Sequence, residues 1–250
     1  MIRIAAAGDV HASEAIRDRV ESAFARVEEE ADVVLLAGDL TTTGEPAQAA
    51  VLADACRGLS IPVIGVLGNH DHHGGRADEI SALLAEAGVR MLDRSWAACE
   101  VAGLELGVVG TKGFVGGFPG CVLPDFGEPL LREVYAETTR DAEAIAQGLR
   151  EIVHCDLRIV LLHYSPVEAT VMGEPAGIHV LLGSDRLATP IAECGADLVL
   201  HGHAHAGSLE GRIGQIPVYN VAVHVTGRDF WIFDLEGKRD RSSVEVEGPA

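Results

Sequence analysis

Three short apolar runs, IRIAAA at 2–7, DVVLLA at 32–37 and PVIGVL at 62–67, each end in a polar turn: GDVH, GDLTTTG and GNHDHHGG. Between them lie stretches with helical spacing. Residues 13–30 put Ile16, Val20, Phe24 and Val27 on one face, and 47–57 and 80–87 continue the pattern. A strand that is apolar throughout has no face to offer water, so it must be covered on both sides. Parallel strands joined through helices meet that demand, which makes the chain an α/β protein.

Past residue 95 the pattern changes. Residues 96–101 and 104–109, broken by a glycine, read as adjacent antiparallel strands. Residues 111–129 (TKGFVGGFPGCVLPDFGEP) are irregular and rich in Gly, Pro and Phe. Such a length is more than a connector needs and marks a lid or binding loop. A helix over 134–153 follows, then strands at 157–162 and 198–201 that end in HYSP and GHAH, two short strands within 212–220, and one at 230–235. The expected organisation is a single domain over 1–235 with a lid or insert at 111–133, and a polar tail over 236–250.

The formal net charge of −19 gives an acidic surface that repels a nucleic-acid backbone, so no duplex nucleic acid is expected as a partner. A small phosphorylated substrate is still open to such a chain, provided its site carries positive charge of its own. The five cysteines, at 56, 99, 121, 155 and 194, show no CxxC spacing. They form neither a disulfide framework nor a zinc–thiolate knot, and they suit a reducing cytosol. No apolar run reaches the roughly 20 residues of a membrane span, and the N-terminus has no signal region, so a cytoplasmic protein without a membrane partner is expected.

The polar residues fall at strand ends. Asp9 and His11, Asp39, Asn69 with His70 and Asp71, His163, and His203 with His205 all follow apolar strands directly. In open α/β sheets the carboxyl ends of strands converge on the ligand site. Carboxylate, carboxamide and imidazole without thiolate suit Mn, Fe, Zn, Co or Ni. These candidates are too many for one tetrahedral ion, whereas two ions sharing a carboxylate would use them, and such pairs serve in-line displacement at phosphorus.

The ordered set D-x-H (Asp9, His11), GD (Gly38, Asp39), GNHD (Gly68 to Asp71), H (His163) and GHxH (Gly202 to His205) resembles the calcineurin-like metallophosphoesterases. The resemblance implies a four-layer αββα sandwich of two mixed sheets flanked by helices. It also implies two metal ions, with Asp9, His11 and His205 on one, Asn69, His163 and His203 on the other, and Asp39 bridging. His70 would contact the phosphate or protonate the leaving oxygen, and the nucleophile would be a metal-bound hydroxide. One departure is visible. Bacterial cyclic-nucleotide phosphodiesterases of this family typically read GDxxD, and Thr42 stands where their second Asp would be. Orientation of His70 then falls to Asp71 or to a backbone carbonyl.

Around this set, Asp71, His72, Lys112, His201 and His224 are expected to touch substrate or to support the ligands. His201 belongs to its strand, and with every ligand place filled it reads as packed behind the site. Phe114, Phe118 and Phe126 belong either to a lid over substrate or to a loop packed on itself. His154, at a helix end, and His179 carry no functional expectation. The function expected is hydrolysis of a phosphomonoester or phosphodiester, with a nucleotide or cyclic nucleotide among the candidates. The alternative is a non-catalytic scaffold of the same fold for protein interaction. A metallo-β-lactamase site would need HxHxDH, and only GHAH is present.

Overall fold

The computed structural model describes residues 1–237. Strand β1 (Ile2–Ala7) leads into helix α1 (Arg17–Glu30), β2 (Val33–Ala37) into α2 (Pro46–Cys56), and β3 (Val63–Val66) into the short α3 (Asn69–His73) and then α4 (Ala77–Glu86). Next come β4 (Val89–Met91), the hairpin β5 (Ser95–Val101) and β6 (Leu104–Gly110), and a small hairpin of β7 (Gly117–Phe118) and β8 (Cys121–Val122). Helix α5 (Pro129–Glu151) precedes β9 (Leu157–Leu161), α6 (His179–Leu182), α7 (Ala188–Cys194) and β10 (Leu198–His201). The chain then runs through β11 (Glu210–Ile213), β12 (Ile216–Asn220), α8 (Val223–Thr226) and β13 (Trp231–Leu235).

The strands form two large mixed sheets. One has the order β13-β1-β2-β3-β4, parallel except for β13. The other has the order β11-β12-β10-β9-β6-β5, parallel except for its two edges. Alternation along β1 explains the layering. Ile2, Ile4 and Ala6 enter a central core shared with Leu106 and Val108 of β6, Ile159 of β9 and Leu200 of β10. Ala5 and Ala7 face the other way, against Val20 and Phe24 of α1 and Leu52 of α2. On the far side, Val109, Val160 and Val199 pack against Ile145 and Leu149 of α5 and Ile191 of α7. Each central strand is therefore apolar on both faces because a sheet covers one and helices the other. The result is the four-layer αββα sandwich.

The periodic segments are where the sequence puts them, and the differences are local. Helix α5 starts at Pro129 rather than at 134; proline's fixed φ and missing N–H suit a first helical position. The turn between β5 and β6 uses Ala102 and Gly103, both at positive φ (50° and 78°), the backbone of a tight primed hairpin. Strand β4 and the short helices between 168 and 194 have too few residues to show a period, and the sequence reading missed them. Of the tail expected over 236–250, residues 238–250 lie outside the described residues.

Candidate metal centre

The GDVH, GDLTTTG and GNHDHHGG turns follow β1, β2 and β3 of one sheet; His163 and the GHAH turn follow β9 and β10 of the other. Strand direction brings all five to one edge of the sandwich. Asp9, His11, Asp39 and His205 each offer a ligand atom, and these atoms lie within 4.8 Å of one another. Asp39, His163 and His203 form a second group of the same kind. Asp39 belongs to both.

Asp39 is buried, and its carboxylate is the hub. Oδ1 accepts the backbone N–H of His70 at 2.8 Å and lies 3.3 Å from His163 Nε2. Oδ2 lies 4.0 Å from His11 Nε2 and 3.9 Å from His70 Nε2. Asp9, also buried, accepts the backbone N–H of His203 at 2.9 Å and meets His205 Nε2 at 2.8 Å. Asn69 Oδ1 is 2.8 Å from His163 Nε2.

The backbone is bent for this purpose. Asp9, His11, Asp39 and His203 all sit at positive φ (58°, 48°, 49° and 71°), a region non-glycine residues seldom adopt. Strain concentrated on candidate ligands is a recurring mark of functional sites. Two glycines leave space for them. A Cβ on Gly68 would lie 2.1 Å from Asp39 Oδ1, and one on Gly202 would lie 2.2 Å from Asp9 Oδ2. The glycines that open GNHD and GHAH are thus there for close approach of a carboxylate from another strand.

The donor set suits a cation. His163 Nδ1 donates to the Ala37 carbonyl at 2.9 Å, so Nε2 carries a lone pair. That lone pair faces Asp39 Oδ1 and Asn69 Oδ1, three acceptors with no proton among them. Burial holds the His163 imidazole well below its ordinary range, so protonation does not relieve the conflict. Burial likewise lowers His11 to about 4 and His203 to about 3. His203 Nε2 donates to the Leu181 carbonyl at 3.2 Å, which leaves its Nδ1 as the acceptor. Burial lifts Asp9 to about 6 despite its contact with His205. Neutral imidazoles around buried carboxylates are a divalent-metal environment.

The other expected residues divide. His70 Nδ1 donates to the Thr42 carbonyl at 2.7 Å, so a backbone carbonyl orients it. Asp71 does not touch the ring. Its carboxylate accepts from the backbone N–H groups of Leu40, Thr41 and Gly68 and from the Thr41 hydroxyl, clasping the turns of Asp39 and Asn69 together. His201 is fully buried, bonded to the Gly202 carbonyl and Thr170 Oγ1, and belongs to neither ligand group. His224 stacks on His205 with centroids 4.2 Å apart and lies edge-on to His11 at 5.9 Å. His72 and Lys112 line a cleft together with Asp78 and Asp93. The Lys112 ammonium lies over Phe114 and Tyr164 and donates to the Gly113 carbonyl.

Phe118, a lid candidate, is instead buried with Val171, Leu182 and Ala204, beneath the turn that carries His203 and His205. Phe126 is 80% exposed. The sequence reading also passed over Tyr164, whose ring packs on His203 at 4.4 Å, and Asn220, whose amide donates to the Ala204 carbonyl and holds the turn of His203 and His205. The HYSP motif contained a signal for Tyr164. Asn220, far along the chain, had none.

A model of the calcineurin-like phosphoesterase family matches residues 2–207, which include every candidate ligand. The chain belongs to the calcineurin-like phosphoesterase family. Among solved structures, phosphopantetheinyl hydrolase (PptH) from Mycobacterium tuberculosis is 14% identical, covers 99% of this chain and 98% of its own, and has a TM-score of 0.66. TT1561 of Thermus thermophilus is 18% identical with a TM-score of 0.55, covering 94% of this chain and 99% of its own. GAP50, the anchor in the inner membrane complex of Plasmodium, is 12% identical with a TM-score of 0.56, covering 89% and 72%. At such identities these likenesses concern the fold of this phosphoesterase family member and not its substrate. No curated protein sequence matches the chain. Among the described residues no helix is long and apolar enough to cross a membrane.

Proposed function

We propose that this phosphoesterase family member binds two metal ions and hydrolyses a small phosphomonoester or phosphodiester. The observation that carries the reading is Asp39, whose carboxylate belongs to both ligand groups. Asp9, His11, Asp39 and His205 would hold one ion, and Asp39, Asn69, His163 and His203 the other. Mn, Fe, Zn, Co and Ni all suit such N/O ligands. Two such ions supply Lewis-acid polarisation of phosphoryl oxygens and a water acidified for attack.

The chain's own residues supply the rest. His70, held through Nδ1 by Thr42, turns Nε2 toward the centre, where it contacts a phosphoryl oxygen or protonates the departing one. Asp71 keeps the Asp39 and Asn69 turns in register, and Phe118 supports the turn of His203 and His205 from below. Bound metal would offset the acidic surface locally, so that a phosphate would be attracted where the rest of the protein repels it. The clefts beside the centre, one with Thr42, Thr43 and His73 and one with His72 and Lys112, suit a small substrate.

The test is hydrolysis of chromogenic phosphate mono- and diesters with added Mn²⁺, with and without chelator. Chelator-sensitive turnover supports the reading. A metal-loaded protein inert on both ester classes that captures a protein partner would make it the scaffold alternative. A panel of mononucleotides, cyclic nucleotides and bis-phosphodiesters then separates the substrate classes.

A further inference from the structure

The opposite end of the second sheet carries another group of ligating side chains. Glu105, near the start of β6, meets His154 and Cys155 in the turn between α5 and β9, and one ligand atom from each lies within 4.8 Å of the others. Cys155 Sγ is 3.8 Å from His154 Nε2, and that nitrogen is 3.4 Å from Glu105 Oε1. From metal–ligand bonds of about 2.3 Å to sulfur and about 2.0 Å to nitrogen or oxygen, a tetrahedral zinc separates S from N by about 3.5 Å and N from O by about 3.3 Å. The three atoms are therefore spaced to hold one ion with little movement.

We infer that Glu105, His154 and Cys155 form a zinc(II) site, separate from the phosphoesterase centre. The surroundings support a built site. Cys155 is 2% exposed and approaches from inside, where a Cβ on Gly107 would lie 2.9 Å from its sulfur. His154 and Glu105 approach from the surface, their side chains 59% and 39% exposed. Asp156 accepts the Glu105 backbone N–H at 2.9 Å and pins that strand to the turn. Thiolate and carboxylate together neutralise a dication. Sulfur makes the set soft enough for zinc and unsuited to Mg²⁺, Ca²⁺ or Mn²⁺. Eight residues of extended chain from Cys155 to His163 put the two sites about 25 Å apart, at opposite ends of β9. The spacing of the cysteines gave no hint of this, because two of the ligands are not cysteine and Glu105 is remote in sequence.

The proposed phosphoesterase centre has no sulfur ligand, so thiolate-to-metal absorption distinguishes the two. The metal-free protein of residues 1–250 titrated with Co²⁺ is expected to show a near-ultraviolet thiolate-to-cobalt charge-transfer band that Zn²⁺ abolishes. Cys155→Ser should lose the band, and His154→Ala, at an exposed position that leaves the fold intact, should weaken cobalt binding at least tenfold with phosphoesterase activity unchanged. Absence of the band, its survival in excess Zn²⁺, or an unchanged cobalt affinity in His154→Ala would overturn the site.

Discussion

His70 Nδ1 donates to the backbone carbonyl of Thr42 at 2.7 Å, and the Thr42 hydroxyl turns away to donate to the His11 carbonyl at 2.9 Å. The orienting group is thus main chain, the carbonyl of the residue that stands where the GDxxD pattern would have its second Asp. His70→Ala is expected to keep its metals while kcat falls by about 10²–10⁴, the usual share of a positioned acid or base. Thr42→Ala retains the carbonyl and should stay within a few-fold of the parent. Steady-state kinetics with metal analysis of both variants checks this; a Thr42→Ala enzyme as slow as His70→Ala would show that the side chain matters.

Asp39→Ala should remove the shared ligand and empty both ions, with activity lost. Metal content measured after gel filtration is the readout. A metal-replete, active Asp39→Ala protein would contradict the assignment of all seven ligands.

Gly202→Ala replaces no ligand, yet the new Cβ would collide with Asp9 Oδ2 at 2.2 Å. The carboxylate or the ligand turn must shift, so metal affinity is expected to fall at least tenfold. Equilibrium dialysis against Mn²⁺ measures it, and an unchanged affinity would mean that the Asp9 turn yields without cost.

Asp71→Ala leaves the N–H groups of Leu40, Thr41 and Gly68 without their carboxylate in a buried place. Unsatisfied buried donors cost roughly 1–3 kcal/mol each, so a loss of about 3 kcal/mol or more is expected, together with weaker metal binding. At roughly 2–4 °C per kcal/mol for a chain of this size, Tm should drop by about 6–12 °C. A thermal melt of the metal-free variant isolates the structural part.

The metal-free protein should lose stability on acidification. Burial lowers His201 and His11 to about 4 and His203 to about 3, and it holds His163 well below its ordinary range. Between those values and the unfolded histidine value near 6.5, the unfolded chain binds protons that the folded one refuses, so stability rises with pH there and falls as pH drops. The fully buried His201 alone accounts for about 3 kcal/mol between pH 6.5 and 4. Asp9 and Asp71, raised by burial, act in the opposite sense but are outnumbered. Urea denaturation of chelated protein across this range is the measurement; flat or rising stability toward pH 4 would refute it.

The sequence alone determined the alternation of strands and helices and the identity of the candidate ligands. Both are local: continuous apolar runs report burial on two faces, and the residues after each run report the strand end. It also left His201 out of the candidate ligands, and the fold binds that ring to Gly202 and Thr170 instead. Only the tertiary structure decided what depends on strand order across two sheets. That order placed Asp39 between His11 and His163, turned the Thr42 carbonyl onto His70, brought His224 against His205, and set Phe118 under the ligand turn rather than over the mouth. It also joined Glu105 to His154 and Cys155, residues remote in sequence that the pairing of β6 with β9 makes neighbours. Periodicity encodes which face of an element is buried; which distant turns share an edge is set by the crossovers, and these leave no local pattern to read.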